Sequence, residues 1–198
     1  YRVNDKRQEA ADGYLSLIQL WGKKTVTPKS LGLSRSSYLI RRIGDTVWAA
    51  RYRALVRDYK GARSKIELAL NLLHILNKEV AAQSRKGLIK QAVVLEAEAQ
   101  YVLAHRIAIE QKDYKTAIAA IKKGLGLKPL PLSWGRRFRW TLGLYRYLLG
   151  DYKEALVSWK SLLDERQIKP SWRAKVLFWL ASANQKLGNK DEFLRQAK

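Results

Sequence analysis

Cysteine is absent from the 198 residues, which excludes disulfides, thiolate nucleophiles and thiolate zinc sites. A cysteine-free chain suits a reducing or an oxidising compartment equally, so no location follows. Methionine is absent too and the chain begins at Tyr1. It is therefore expected to be a trimmed fragment from which a targeting segment could have been lost. Only 4 prolines occur, at Pro28, Pro129, Pro131 and Pro170, and long proline-free stretches favour long helices. No apolar run approaches the roughly 18–20 residues needed to cross a bilayer. The most apolar stretch, Ile66 to Leu76, is broken by Glu67, Asn71 and His74. Acidic residues are scarce: 17 Asp+Glu face 39 Lys+Arg, for a net charge of +22. A field of that sign attracts nucleic acid, anionic lipid, acidic protein or acidic polysaccharide without choosing among them.

Signatures of catalysis are also missing. His74 and His105 are the only histidines, and neither lies in a His-Glu-x-x-His arrangement. Gly124-Leu125-Gly126 lacks the further glycine and the preceding strand of a phosphate loop, so it reads as a helix end. Glu96 and Glu98 stand seven to nine residues from His105, two helical turns or more, too far for acid–base contact. The expectation is a non-enzyme with no metal and no cofactor.

What is present is an ordinary apolar share of 47%, enough for a folded core, and a repeated word. Asp58-Tyr59-Lys60-Gly61-Ala62 recurs as Asp113-Tyr114-Lys115-Thr116-Ala117 and as Asp151-Tyr152-Lys153-Glu154-Ala155, with a degraded copy at Asn189-Lys190-Asp191-Glu192-Phe193. The spacings are 55, 38 and 38 residues. Each Asp, or Asn189, stands where a side-chain oxygen can accept the free N–H groups of a first helical turn. Glu154 and Glu192 follow three residues later, as in a capping box. Gly150 and Gly188 precede these caps and suit a left-handed helix end. Apolar stripes flank each word at helical spacing, such as Tyr101, Ala104 and Ala108 before one turn and Ala117, Ile118 and Ile121 after it. The longer first interval predicts two long helices, about 59–82 and 88–111, joined near Ser84-Arg85-Lys86-Gly87.

With these words the chain resembles the tetratricopeptide repeat family. The window from Ala97 to Leu130 has that family's 34-residue length, with Tyr101, Ala104, Ala108, Tyr114, Ala117, Gly124 and Pro129 at its motif positions. The window ending at Pro170 adds Leu142-Gly143, Gly150, Tyr152, Ala155 and Trp159. The resemblance is good over 97–188, partial over 45–75 and absent over 1–40. It implies an all-α fold: a TPR-like α-solenoid of antiparallel helix hairpins, one of them lengthened. Residues 1–40 are expected to hold an amphipathic helix (Asn4 to Trp21) and a basic connection (Gly22 to Ser37), with the first hairpin helix starting near Tyr38 or Asp45. Residues 41–198 hold the repeats. The last helix, starting near Lys190, would be cut short, so the native polypeptide is expected to continue beyond Lys198.

Basic segments supply the candidate site. Residues 23–65 hold twelve Lys/Arg against Asp45 and Asp58, and residues 114–150 hold eight Lys/Arg and no acid. Within the second, Trp134, Arg136, Arg137, Phe138, Arg139 and Trp140 interleave ring and guanidinium. Guanidinium groups bind carboxylates and phosphates bidentately and stack on rings. Phe138 and Trp140 also read as core residues of a repeat helix with the arginines as its solvated face. Tyr145 and Tyr147 point to opposite sides, so at most one serves a surface. In the resembling family the first helix of each hairpin lines the concave groove. That implies Arg51, Val102, Arg106, Arg137, Trp140, Tyr147, Lys175 and Phe178 as groove residues, joined by Trp134, Arg136 and Arg139 as partner-binding candidates. The lysine/asparagine clamp of chaperone-binding members is not matched, because Arg51, Arg106, Leu144 and Ser182 stand at those positions.

The expected function is a scaffold or adaptor that binds an acidic or amphipathic protein segment. Two alternatives come from other classes. Ser171-Trp172-Arg173-Ala174, Leu177-Phe178-Trp179-Leu180-Ala181 and Leu187-Gly188 look like the repeats of bacterial soluble lytic transglycosylases, which would make this the non-catalytic superhelical region of a larger cell-envelope enzyme. Charge alone also suits a nucleic-acid-binding helical repeat.

Overall fold

The structure, a computed structural model, describes residues 34–83, 86–164, 168–189 and 192. These form seven α-helices: α1 (Arg35–Leu55), α2 (Tyr59–Gln83), α3 (Lys86–Val102), α4 (Tyr114–Leu125), α5 (Leu132–Leu149), α6 (Tyr152–Leu163) and α7 (Pro170–Lys186). A π-helical segment, Leu103–Ala108, continues α3. No strand occurs among the described residues, so the fold is all-α. The expected helix from Asn4 to Trp21, the connection up to residue 33, the Ser84-Arg85 joint and the helix from Lys190 lie outside the described residues.

The first helix starts earlier than the sequence suggested. Arg35 opens α1 because Ser34 accepts the Ser37 N–H on its hydroxyl at 3.2 Å, acting as the cap. The long pair forms as predicted for α2. Its partner departs from regular winding at Leu103–Ala108, where the Ile109 N–H reaches the Ala104 carbonyl at 3.1 Å, five residues back.

The repeated word builds one turn four times. The residue before each Asp or Asn is left-handed: Arg57 (φ 63°), Lys112 (57°), Gly150 (88°) and Gly188 (75°). The next N–H then reaches back five residues: Asp58 to Arg53 at 2.9 Å, Asp113 to Ala108 at 2.7 Å, Asp151 to Arg146 at 2.8 Å, Asn189 to Asn184 at 2.9 Å. This six-residue closure satisfies a carbonyl orphaned at the helix end. The aspartates then open the next helix. Their carboxylates accept the N–H of Gly61 at 2.9 Å, Thr116 at 3.1 Å and Glu154 at 3.4 Å. A single residue thus closes one helix and caps the next. The expected capping box at Glu154 does not form. The Asp151 N–H is already committed to Arg146, and the Glu154 carboxylate pairs instead with the Arg146 guanidinium at 2.7 Å.

Each helix packs on the next, and α1 also packs on α3. Three apolar clusters follow in chain order. Leu39, Ile43 and Val47 of α1 meet Ile66, Leu73 and Leu76 of α2 and Ala99 of α3. Ala104 and Ala108 meet Ala117 and Ile121 of α4 and Phe138, Leu142 and Tyr145 of α5. Trp140 of α5 then meets Trp159 and Leu162 of α6 and Val176 and Leu180 of α7. Helix α5 is therefore buried on two sides, with Phe138, Leu142 and Tyr145 in one cluster and Trp140 in the other. Two glycines allow this. A Cβ at Gly124 would overlap the Phe138 ring, and one at Gly143 would overlap the Trp159 indole.

Two stability measurements check this account. Lys112→Gly should stabilise the fold by up to about 1 kcal/mol, since left-handed non-glycine backbone costs about 1–2 kcal/mol and glycine returns part of that as entropy. Gly143→Ala should destabilise by about 1–3 kcal/mol through overpacking against Trp159. Urea unfolding of both variants reads the result. A destabilised Lys112→Gly or a neutral Gly143→Ala would contradict the turn and packing described.

Candidate functional site

Cations and rings pair on the alternate helices α1, α3, α5 and α7. On α1 the Arg51 guanidinium lies 5.1 Å from the Trp48 ring centre. On α5 Arg137 lies 4.8 Å from Trp134 and also 5.3 Å from Tyr101 of α3. On α7 Lys175 lies 4.3 Å from Trp140 and 5.7 Å from Trp172. Such contacts contribute about 0.5–1 kcal/mol at exposed sites. They also hold each cation at a set position on the surface.

Tyr101 is the centre of the first group. It stacks on His105 at 5.0 Å and meets Trp134 edge-on at 5.9 Å. His105 Nδ1 shares a 2.7 Å hydrogen bond with the Tyr145 hydroxyl, joining the end of α3 to α5. The π-helical winding spans this point and carries His105. Burial pushes the Tyr101 phenol up. Arg137, Arg106, a hydrogen bond with Thr141, and Arg51 act in the opposite sense. Burial likewise raises the Tyr145 phenol. Burial lowers His105, as do the charges of Arg106 and Arg137, while Glu110 opposes them. Both tyrosines therefore stay neutral at pH 7, and burial holds His105 towards its uncharged form.

The second group lies between α5 and α7. Trp140 meets Trp172 at right angles, with centroids 5.7 Å apart. Trp159 is fully buried and donates its indole N–H to the Trp140 carbonyl at 3.2 Å. Trp172 is half-open to solvent, and Phe178 is 65% exposed, leaning on Trp179 at 5.9 Å.

The sequence-predicted residues divide accordingly. Arg137 and Trp134 lie against Tyr101, and the charges of Arg106 and Arg51 act on its phenol. Lys175 lies over the ring of Trp140, which is itself buried in the third cluster. Tyr147 is half-buried against Tyr152 and Trp179 in the same cluster, and Tyr145 lies in the second, so each is committed to packing. Phe178 is exposed, Arg136 lies near Arg137, and Arg139 lies back along α5 over Gly135. Sequence reasoning missed Trp48, Trp172 and the His105–Tyr145 bond. The first two had a signal: Trp48-x-x-Arg51, Trp134-x-x-Arg137 and Trp172-x-x-Lys175 repeat one word, and the last two stand 38 residues apart. Residues three apart share a helix face, which brings each ring under its cation.

Some of the acids pair internally. Asp58 pairs with Arg53, Glu79 with Arg35 at 2.6 Å, and Glu154 with Arg146. Among the described residues no group of three His, Cys, Asp or Glu could hold a metal ion, and no helix is long and apolar enough to cross a membrane. No known family's profile matches the chain, and no curated protein matches it.

The His105 environment has a pH consequence. Its folded pKa lies below the ordinary 6.5, so the unfolded chain takes up the proton first as pH falls. Stability is full above about pH 6.5 and declines as pH falls through that value towards the depressed folded pKa. His105→Gln, which keeps a hydrogen-bonding group beside Tyr145, should flatten the pH dependence of the urea midpoint between about pH 7.5 and 5.5 relative to the parent. An unchanged slope would show that His105 is not the responsible group.

Proposed function

We propose that this chain is a non-catalytic adaptor, a TPR-like stack of helix hairpins whose basic-aromatic face holds an acidic segment of a partner protein. The observation that carries the reading is the run of cation–ring pairs on α1, α3, α5 and α7. Four geometrically alike turns and the α1–α3 contact support the hairpin stack. The contiguity of the face is supported by three links. Arg51 acts on Tyr101, Arg137 bridges Tyr101 and Trp134, and Trp140 meets Trp172.

Charge decides what such a face attracts. Carboxylates on an extended segment can accept from Arg51, Arg106 and Arg137 in turn, and charge-assisted hydrogen bonds contribute about 1.5–3 kcal/mol each. Rings beside each arginine offer apolar contact to the intervening side chains, the mixture that interface hot spots use. An acidic peptide of a dozen residues should bind with an affinity that falls as salt rises. Arg51→Ala combined with Arg137→Ala should weaken it by about tenfold or more, roughly 1.4 kcal/mol per decade. Titration calorimetry measures this. Unchanged affinity in the double variant would refute the face. Preference for a single-stranded oligonucleotide over the peptide at about 100 mM salt would favour a nucleic-acid ligand instead.

A further inference from the structure

A cleft of about 250 Å³ opens between the first turns of α5 and α7. Its polar lining is Ser133, Arg136, Arg137 and Lys169, and its apolar lining is Leu162, Ile168 and Trp172. None of these residues is acidic. Small-molecule sites usually enclose roughly 300–1,000 Å³, so this volume suits one or two side chains of a peptide rather than a cofactor. The floor and rim differ in chemistry. Leu162 is fully buried and Ile168 half-buried, while Trp172 presents part of its ring to solvent. Cations and a hydroxyl surround that apolar floor.

The backbone adds to the positive field. Pro131 and Lys169 stand at the N-cap positions of α5 and α7, and neither side chain caps its helix. Neither first turn contains an acid. Both helices therefore bring the positive ends of their dipoles to the cleft with no side-chain compensation. Ser133, Lys169 and Trp172 belong to those two helix starts. The cleft also lies between the Trp134–Arg137 pair of α5 and the Trp172–Lys175 pair of α7, so it interrupts the binding face rather than lying apart from it.

We propose that this cleft is the anchor point for the partner: it takes one bulky apolar side chain of an acidic segment, with the neighbouring carboxylate against Arg136, Arg137 and Lys169. This rests on the adaptor reading above and specifies which part of the face selects sequence. A uniformly acidic segment satisfies the rim and leaves the floor wet. A segment with Phe or Leu beside Glu or Asp fills both. Buried apolar contact together with a charge-assisted bond is what separates a specific peptide from any polyanion.

The test uses the full chain and two fluorescein-labelled peptides of identical charge, one with a central Phe flanked by Glu and one with Ser in its place. Fluorescence anisotropy should show the Phe peptide binding at least tenfold tighter. Lys169→Glu and, separately, Ser133→Glu should each weaken both peptides by charge repulsion and reduce the Phe peptide's advantage over the Ser peptide to under about threefold. Both substitutions put an acid in the first turn of a helix, where it favours the fold, and circular dichroism checks each. If both peptides bind equally and neither variant changes them, the anchor is refuted and the adaptor reading stands. If neither peptide binds, both are refuted. An oligonucleotide that displaces the Phe peptide and is lost in both variants would refute the peptide assignment of the cleft.

Discussion

Two consecutive residues carry the reversal of direction at four places in this chain. The first must turn left-handed, and the second must give its N–H backward and its side-chain oxygen forward. At Asp58, Asp113 and Asp151 one aspartate does both. Everything else depends on that economy. With no loop to absorb slack, consecutive helices lie side by side, and their buried stripes are brought into register by the turn rather than by a long-range search. Two of the four turns accept the strain of a left-handed Arg57 or Lys112. The remaining two relieve it with glycine.

Close helix packing then determines where side chains can go. Helix α5 lies between two apolar clusters and has little face of its own left over. Its rings divide by side: Phe138 and Tyr145 pack towards α4 and the end of α3, Trp140 and Tyr147 towards α6 and α7. Leu132, Ser133, Leu148 and Leu149 reach solvent, as does Arg137, which leans on the Trp134 and Tyr101 rings. The same rings therefore join neighbouring helices and order the cations above them. With 39 Lys+Arg against 17 Asp+Glu, the cations left over from internal ion pairs give the chain its positive field.

The turns were legible because capping chemistry is local: an Asp at a helix start is visible in five residues. The long α2 was legible from the 55-residue interval. Other features were not. Arg57 and Lys112 carry no sign of a left-handed backbone, since the aspartate after them imposes it. The π-helical segment adds a single residue to a helical register, which leaves periodicity nearly unchanged. Trp140 and Tyr147 read as groove residues because the resembling family lines its groove with the first helix of each hairpin, and the two-sided burial of α5 brings them into a core. The Trp-x-x-Arg/Lys word was readable but carries meaning only when its three copies stand on alternate helices. The cleft at the starts of α5 and α7 joins residues from three helices and is invisible to any local pattern.

Nuclear magnetic resonance of the tryptophan indole N–H groups during titration with an acidic peptide tests the cation–ring face most directly. Trp48, Trp134 and Trp172 lie beside the proposed binding cations, whereas the Trp159 indole is buried and bonded to the Trp140 carbonyl. The signals of the first three should shift together and saturably while that of Trp159 stays in place. Saturable binding that leaves Trp48, Trp134 and Trp172 unmoved would contradict the assignment of the partner to this face.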